Sequence, residues 1–285
     1  MKYLSSFAII AIILCQACHG PGSSSDHYTL TLRGSESMHE TFNALKSDFE
    51  KMQDTLKIVL EGGGSRTGMM GVHENAIDIG LSSYPFNLDS ILGSGHNITE
   101  QVVAYDGIVL ISNELNPVQQ LTNEQVTGIF SGAITDWQEI GGTAGEIQPI
   151  IRDKNSGTQQ FLTNYFSIDG AANNSVVASE NAEIVESVYT NPAGIGFIGF
   201  AYFTERVHNL LLPSPIAGDT PFVAPSFKNL LAGSYPLKRS LRIYYKDATD
   251  PAVIAFLKYL KTTRARYVIE SNGLVPLQQQ AMVEQ

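Results

Sequence analysis

Hydrophobic and polar positions alternate in patterns that predict strands and helices following one another along most of the chain. Thr29–Leu32 alternates with a period of two, and the apolar residues after it return at helical spacing from Met38 to Phe49 and on to Met52. Leu56–Leu60 and Ile150–Ile151 are further strands, and each leads through a small polar turn into a helical pattern. Strands that alternate with helices in this way indicate an α/β fold.

Three of the strand-to-helix turns carry residues suited to binding a small oxyanion. They are Arg33–Ser37, Glu61–Gly68 and the segment from Arg152 to Thr158. A helix N terminus offers unpaired N–H groups and the positive end of its dipole, serine and threonine hydroxyls add donors, and an arginine adds a planar fork. One such turn alone is usually an ordinary helix cap, but three can converge on one ligand. The triple-glycine run lacks the Lys-Ser/Thr ending of a nucleotide-binding loop, which favours a small anion.

Two long β-rich runs predict how the chain divides. Val102–Ile111 is interrupted at Asp106–Gly107, and Pro236–Tyr245 is a second long strand. A protein with two lobes needs two strands that cross between them, and its ligand lies in the cleft between the lobes. We therefore predict lobe I over residues 28–104 and 238–285, and lobe II over residues 105–237.

Local signals mark further elements. Thr122–Gln125 has the spacing of a capping box, and Asp250–Pro251 predicts a helix start. Trp137 is expected to be a packing residue.

The N-terminal segment predicts export. Lys2 precedes the apolar run Leu4–Leu14, which is too short to span a bilayer and is typical of a signal peptide. We predict a signal peptide over residues 1–17, lipidation of Cys18 and a flexible tether over residues 18–27. Cys15 stands where lipoprotein signals usually have leucine, so an ordinary secretory signal cut nearby remains the alternative. Either way we expect a location in the periplasm or at the cell-envelope surface, with membrane contact only through a lipid anchor.

Composition and charge narrow the classes of function. The net charge of −10 argues against nucleic acid as a partner, but distant surface charge is screened and does not exclude a bound anion. The six histidines lack metal-ligand spacing, so we expect neither a metal nor another cofactor. The sequence contains no nucleophile elbow, and no Ser-His-Asp set can be assembled from neighbouring residues. We interpret Glu180, Glu183 and Glu186 as solvated charges on a helix face, not as a catalytic pair. We expect a protein that is not an enzyme.

An ordered set of motifs resembles the phosphate-binding proteins of bacterial phosphate ABC transporters. The motifs are Gly34–Ser37, Gly62–Ser65, Asp78–Ser83, Asp106–Gly107, Leu121–Thr122, Ile129–Trp137, Arg152 with Ser156–Thr158, Gly194–Phe197 and Gly273–Leu277. The resemblance covers nearly the whole mature chain. It implies a two-lobed periplasmic-binding-protein fold of type II that closes on inorganic phosphate. It also implies a monomer that delivers phosphate to the transmembrane subunits of a permease.

Motif position also implies the ligand contacts. They come from Ser37, the Met38 N–H, Ser65, Arg152, Ser156, Gly157 and Thr158. One branch of the family has a ligand-binding aspartate where this chain has Ser83, and the other has an arginine where this chain has Tyr84. We infer that Ser83 faces the ligand and that Asp106 supplies the missing carboxylate. That Asp106 only caps a turn with Gly107 remains equally open.

Other functions of the same turns remain open at this stage. The chain could bind or sense another oxyanion. It could also be an exported phosphate-handling hydrolase with Ser156 as nucleophile, although the sequence offers no base for it.

Overall fold

The computed structural model describes residues 28–53, 55–216, 222–246 and 250–277. The predicted signal peptide, Cys18 and the tether lie outside these residues. The strands are β1 (Tyr28–Gly34), β2 (Leu56–Glu61), β3 (Ile79–Ser82), β4 (Ile98–Ser112), β5 (Gln148–Arg152), β6 (Val176–Ala178), β7 (Gly194–Gly199), β8 (His208–Asn209), β9 (Leu212–Pro213), β10 (Phe222–Val223), β11 (Lys238–Lys246) and β12 (Val275–Pro276). The helices are α1 (Glu36–Glu50), α2 (Ser65–His73), α3 (Leu88–Leu92), α4 (Asn123–Ser131), α5 (Gly157–Tyr165), α6 (Asn181–Thr190), α7 (Phe227–Ala232), α8 (Pro251–Leu260) and α9 (Thr263–Ser271). In this part of the chain, no helix is long and apolar enough to cross a membrane.

One mixed sheet runs through the molecule in the order β2-β1-β3-β11-β4-β7-β5-β6, with β8 and β12 also paired to β4. The pairs of β1 with β2 and β3, and of β5 with β6 and β7, are parallel. Between these two parallel parts, β4 and β11 lie antiparallel to each other. The arrangement confirms the predicted α/β class.

Strand β4 connects the two parallel parts without a break. Its first half pairs with β11 as far as Gly107, and its second half pairs with β7 from Ile108 onward. The predicted interruption at Asp106–Gly107 is therefore wrong, as is the alternative that Asp106 caps a turn there. Gly107 packs against the Leu230 side chain, since a Cβ at this position would lie 2.9 Å from a methyl carbon of Leu230, which would have to shift.

Two large hydrophobic clusters lie at opposite ends of β4. One gathers side chains of β1, α1 and α8, including Leu30, Phe42 and Phe256, and the other includes Phe130 and Phe197. Trp137 is 4 % exposed within the second cluster, so its predicted packing role is confirmed. Met52, by contrast, is 55 % exposed, because α1 ends at Glu50 before its apolar stripe reaches that position.

The predicted caps close two helices. The Thr122 side chain accepts from the Gln125 N–H while the Gln125 side chain accepts from the Thr122 N–H, which completes the capping box of α4. Asp250 accepts from the Ala252 N–H at the start of α8, with Pro251 as its first residue. Both caps arise from residues close in sequence, so the local pattern is sufficient to predict them.

Candidate functional site

The N termini of α1, α2 and α5 converge in the structure, as the three turns predicted. Ser37 at the start of α1 lies with its Oγ 2.9 Å from Oγ1 of Thr158 in α5. A Cβ on Gly157 would lie only 2.2 Å from Oγ of Ser65, the first residue of α2. Because α1 and α2 have no side-chain cap, the dipoles and the first N–H groups of these helices are available to a ligand.

Ser83 joins this convergence from the end of β3. Its Oγ accepts a hydrogen bond of 2.9 Å from Ser35, and its N–H donates to Ser65 Oγ over 3.0 Å. All three side chains are buried. Ser35, which sequence reasoning had not assigned, thus occupies one acceptor position of Ser83, and the Ser83 hydroxyl hydrogen can donate to Ser65 Oγ at 3.3 Å or to a ligand.

Two further donors at the helix starts, the Met38 N–H and the Ser156 hydroxyl, belong to buried residues. The Met38 N–H donates to the Ser35 carbonyl over 3.0 Å, so an anion would have to share this donor. Ser156 caps α5 by accepting from the Gln159 N–H over 3.3 Å, which leaves its own hydroxyl hydrogen free to donate.

Arg152 ends β5 beside these helix starts and is 3 % exposed. Its Nη2 donates to the Ser179 carbonyl over 2.5 Å, while Nε and Nη1 have no hydrogen-bond partner among the described residues. Burial lowers the pKa of Arg152, although the group remains charged at neutral pH. A buried guanidinium with unpaired donors is costly, so this geometry favours an anionic ligand.

The other two arginines of the turns do not contribute a buried charge. Arg33 forms an ion pair with Glu61 at the surface, and Arg66 is exposed. Arg152 is therefore the buried cation of the three turns.

Sequence reasoning missed a second buried cation, Arg239 on β11. Its Nε and Nη2 donate to Asp106 Oδ2 over 3.1 and 2.6 Å, and its Nη1 donates to Thr158 Oγ1 over 2.7 Å. Both members of the ion pair are almost fully buried. A signal was present, since Arg239 falls between Leu237 and Leu241 on the buried face of a period-two strand.

Asp106 is held at the site by its neighbours. Besides the two bonds from Arg239, its Oδ1 accepts from the Phe200 N–H over 3.2 Å. Burial raises the pKa of Asp106, and the Arg239 guanidinium opposes that rise. A cross-strand pair places the two residues, because Asp106 on β4 lies directly opposite Arg239 on β11.

Other chemistries find less support in the described residues. No group of three or more His, Cys, Asp or Glu side chains there is arranged to hold a metal ion. Tyr84, which stands at the position of the family's alternative arginine, is only partly buried, and its hydroxyl accepts from Asn164 Nδ2 at the edge of the site. Glu183 and Glu186 are exposed and bond the Ser179 N–H and Arg206, as expected of solvated charges.

Comparison with known proteins places these features in a family context. A family model described as a PBP superfamily domain matches residues 20–263. The phosphate-binding protein PstS of Bacillus subtilis is 26 % identical over 287 residues, covering 97 % of this chain and 93 % of the relative. PstS of Borreliella burgdorferi is 22 % identical over 255 residues, covering 86 % and 89 %.

Solved structures show the same fold. A putative phosphate ABC transporter substrate-binding protein with bound phosphate from Clostridium perfringens has a TM-score of 0.79 at 24 % identity, covering 88 % of this chain and 100 % of that one. An ABC-type phosphate transport receptor from Vibrio cholerae has a TM-score of 0.72 at 23 % identity, covering 87 % and 100 %. The structural similarity shows that the chain shares the fold of these proteins, which confirms the predicted fold.

Proposed function

This chain belongs to the PBP superfamily, and from that premise we propose that it captures inorganic phosphate and delivers it to the transmembrane subunits of an ABC permease. The observation that carries the proposal is the buried Arg152, whose Nε and Nη1 have no hydrogen-bond partner among the described residues, together with the converging N termini of α1, α2 and α5. This combination supplies a full positive charge, helix dipoles and hydroxyl donors within one dehydrated site. The names of the relatives point to the same ligand.

We propose that the ligand contacts are those implied by the motifs. They are Ser37, the Met38 N–H, Ser65, Ser83, Arg152, Ser156, Gly157 and Thr158, with Asp106 as a charged residue of the same site. Charge-assisted hydrogen bonds contribute about 1.5–3 kcal/mol each. Eight or so of them can cover the roughly 8–10 kcal/mol of micromolar or tighter binding, even after the free-energy cost of ordering the closed state.

The binding mechanism we propose is closure of two lobes. Lobe I comprises residues 28–104 and 238–285, lobe II comprises residues 105–237, and β4 and β11 cross between them. The two large hydrophobic clusters support this division. The hydrogen bonds that join the proposed lobes in the present arrangement include Ser37 with Thr158, the Arg66 N–H to the Asn155 carbonyl, and the Tyr202 hydroxyl to the Glu36 carbonyl. Phosphate would contact both lobes at once and so shift the population toward this closed state.

A second candidate ligand is sulfate, because Ser83 brings no carboxylate where one branch of the family has an aspartate. A fixed carboxylate repels a fully ionised anion, whereas hydroxyl groups can donate hydrogen bonds to it. The hydrolase alternative has less support, since the Ser156 hydroxyl contacts no carboxylate or histidine among the described residues. We therefore propose a binding protein that is not an enzyme and needs no cofactor.

We further propose that the protein acts as a monomer at the cell envelope, attached through lipid on Cys18 after removal of residues 1–17. The supporting observations are the apolar run Leu4–Leu14 and the position of Cys18 a few residues after its end. A Cys18→Ala variant should be released from washed membranes, while the wild type stays with them. Equal partitioning of both proteins would refute the anchor and leave ordinary secretion.

A panel of anions tests the ligand assignment. Protein freed of bound anions by unfolding and refolding is heated with phosphate, sulfate, molybdate or a phosphonate, and its melting temperature is measured. A ligand that binds only the native state raises that temperature by an amount that grows with the logarithm of its affinity, so phosphate should give the largest increase. A larger increase with another anion at equal concentration would reassign the ligand.

A further inference from the structure

We propose that Arg239 is a positioning residue that orients the Thr158 hydroxyl toward the bound anion, and that Asp106 acts by holding Arg239 in place. The inference rests on the proposed phosphate-binding function and assigns two residues a role that the motifs did not give them. It starts from the chain of hydrogen bonds that runs from Asp106 through Arg239 to Thr158.

The geometry of this chain is restrictive. Arg239 is 3 % exposed and its guanidinium is bound at both ends, by Asp106 Oδ2 through Nε and Nη2 and by Thr158 Oγ1 through Nη1. Gly199 makes the close packing possible, since a Cβ there would lie 3.1 Å from Asp106 Oδ2 and 3.3 Å from Arg239 Nη2. The planar fork of arginine therefore has one available orientation.

Arg239 determines what the Thr158 hydroxyl can do. A hydroxyl has one hydrogen to donate and two lone pairs, and the Arg239 bond occupies a lone pair. The Thr158 hydrogen must then point away from the guanidinium, toward Ser37 Oγ at 2.9 Å or toward an anion between the helix N termini. Without Arg239, that lone pair is no longer occupied by the guanidinium, and the direction of the hydroxyl hydrogen is less restricted.

Asp106 is better placed to hold Arg239 than to bind phosphate directly. Its carboxylate already accepts from Arg239 twice and from the Phe200 N–H once. Because the pair is buried and neutral as a whole, Asp106 prevents Arg239 from moving into the site as a free cation. This role replaces our expectation from the motifs that Asp106 reads the phosphate proton.

The chain of bonds also links the hinge to the far lobe. Asp106 and Arg239 are opposite each other on β4 and β11, the two strands proposed to cross between lobes, and Thr158 belongs to proposed lobe II. The Arg239–Thr158 bond therefore exists only when α5 stands where it does in this closed arrangement. Arg239 therefore couples closure of the two lobes to the orientation of the Thr158 hydroxyl, which donates to the ligand.

A double-mutant cycle on phosphate affinity tests this role. Arg239→Gln, Thr158→Val and the double variant are each titrated with phosphate by calorimetry, and their melting temperatures are recorded without ligand. Each single change should weaken binding by about tenfold or more. The double variant should bind within about threefold of the weaker single variant, because Arg239 acts through Thr158.

The matched control is the cycle of Arg239→Gln with Ser65→Ala. Ser65 bonds Ser83, and no hydrogen bond joins it to Arg239 within the described part of the chain, so the two losses in this cycle should multiply. If Arg239→Gln fails to fold because Asp106 is left unpaired, the neutral pair of changes Arg239→Gln/Asp106→Asn replaces Arg239→Gln in both cycles. Multiplicative losses in the Thr158 cycle, with tight phosphate binding by the wild type, would overturn the inference and leave the proposed function intact. Millimolar binding by the wild type would refute both.

Sulfate titrations separate the two roles of Asp106. If Asp106 only holds Arg239, Asp106→Asn should change phosphate and sulfate affinity in the same direction, with their ratio constant within about threefold. Loss of phosphate binding together with gain of sulfate binding would show that Asp106 reads the ligand proton, and would refute its role as a holding residue.

Discussion

Replacing Arg152 with methionine removes the charge of the site while keeping an apolar side chain of similar length in the same buried space. Nε and Nη1 of Arg152 have no hydrogen-bond partner among the described residues, so we expect both to donate to the ligand. Two charge-assisted bonds at about 1.5–3 kcal/mol each amount to roughly 3–6 kcal/mol, or about 10²–10⁴-fold in the dissociation constant. Calorimetric titration with phosphate should show a loss within that range.

Unlike the phosphate affinity, the stability of the ligand-free protein should not fall when Arg152 is replaced with methionine. Without ligand, the wild type buries a guanidinium with unpaired donors, and burial lowers the pKa of Arg152 because it disfavours the charged form. Arg152→Met removes that cost, so the melting temperature without phosphate should stay unchanged or rise, and the increase with phosphate should nearly vanish.

Arg33→Met and Arg66→Met are the matched controls, since both side chains reach solvent in neighbouring turns. Each should change phosphate affinity by less than about threefold, because exposed charges are screened. A larger loss in either control than in Arg152→Met would refute the assignment of Arg152 as the ligand-binding cation.

Three further substitutions test closure, acid stability and the core. Gly157→Ala places a Cβ 2.2 Å from Ser65 Oγ, so it should weaken phosphate binding by about tenfold or more. The melting temperature without ligand should stay unchanged. Unchanged phosphate affinity would show that the starts of α2 and α5 need not approach each other so closely. Hydrogen bonds from Arg264 lower the pKa of Asp48 below 3.8, so ionised Asp48 stabilises the fold above that pH and the contribution is lost on acidification. Denaturant unfolding of Asp48→Asn should therefore show a smaller loss of stability between about pH 5 and 3 than the wild type, and an equal loss would contradict the assignment. Phe256→Ala, at a fully buried ring packed on Phe49, should lower the free energy of unfolding by about 3–5 kcal/mol in the same assay; a loss below about 1 kcal/mol would contradict its place in the core.

Local patterns predicted the parts of the fold that depend on neighbouring residues. The capping box of α4 and the start of α8 arise within three residues of each cap, so the sequence contains the whole interaction. The starts of α1 and α2 are close because they follow the adjacent parallel strands β1 and β2, whereas α5 follows β5, which is not adjacent to either strand in the sheet. Met52 was placed on a helix face that α1 does not reach, because apolar spacing cannot locate the last turn.

Long-range pairing explains what the sequence did not reveal. Arg239 enters the site through an ion pair with Asp106, 133 positions away along the chain, and no local spacing contains that contact. Asp106–Gly107 resembled a turn, yet it is continuous strand because β11 pairs along it and Leu230 fills the space beside Gly107. Ser35 likewise gains its role only once β3 brings Ser83 beside it. The register of β4 with β11 was the missing information.

The central claim is that this site captures phosphate, and the dissociation constant of phosphate for protein freed of bound anions tests it most directly. We expect calorimetry to give one site per chain with a dissociation constant in the low micromolar range or tighter, which is equivalent to a binding free energy of about 8 kcal/mol or more in magnitude. Binding only at millimolar concentration, in a sample shown to be folded, would contradict the account.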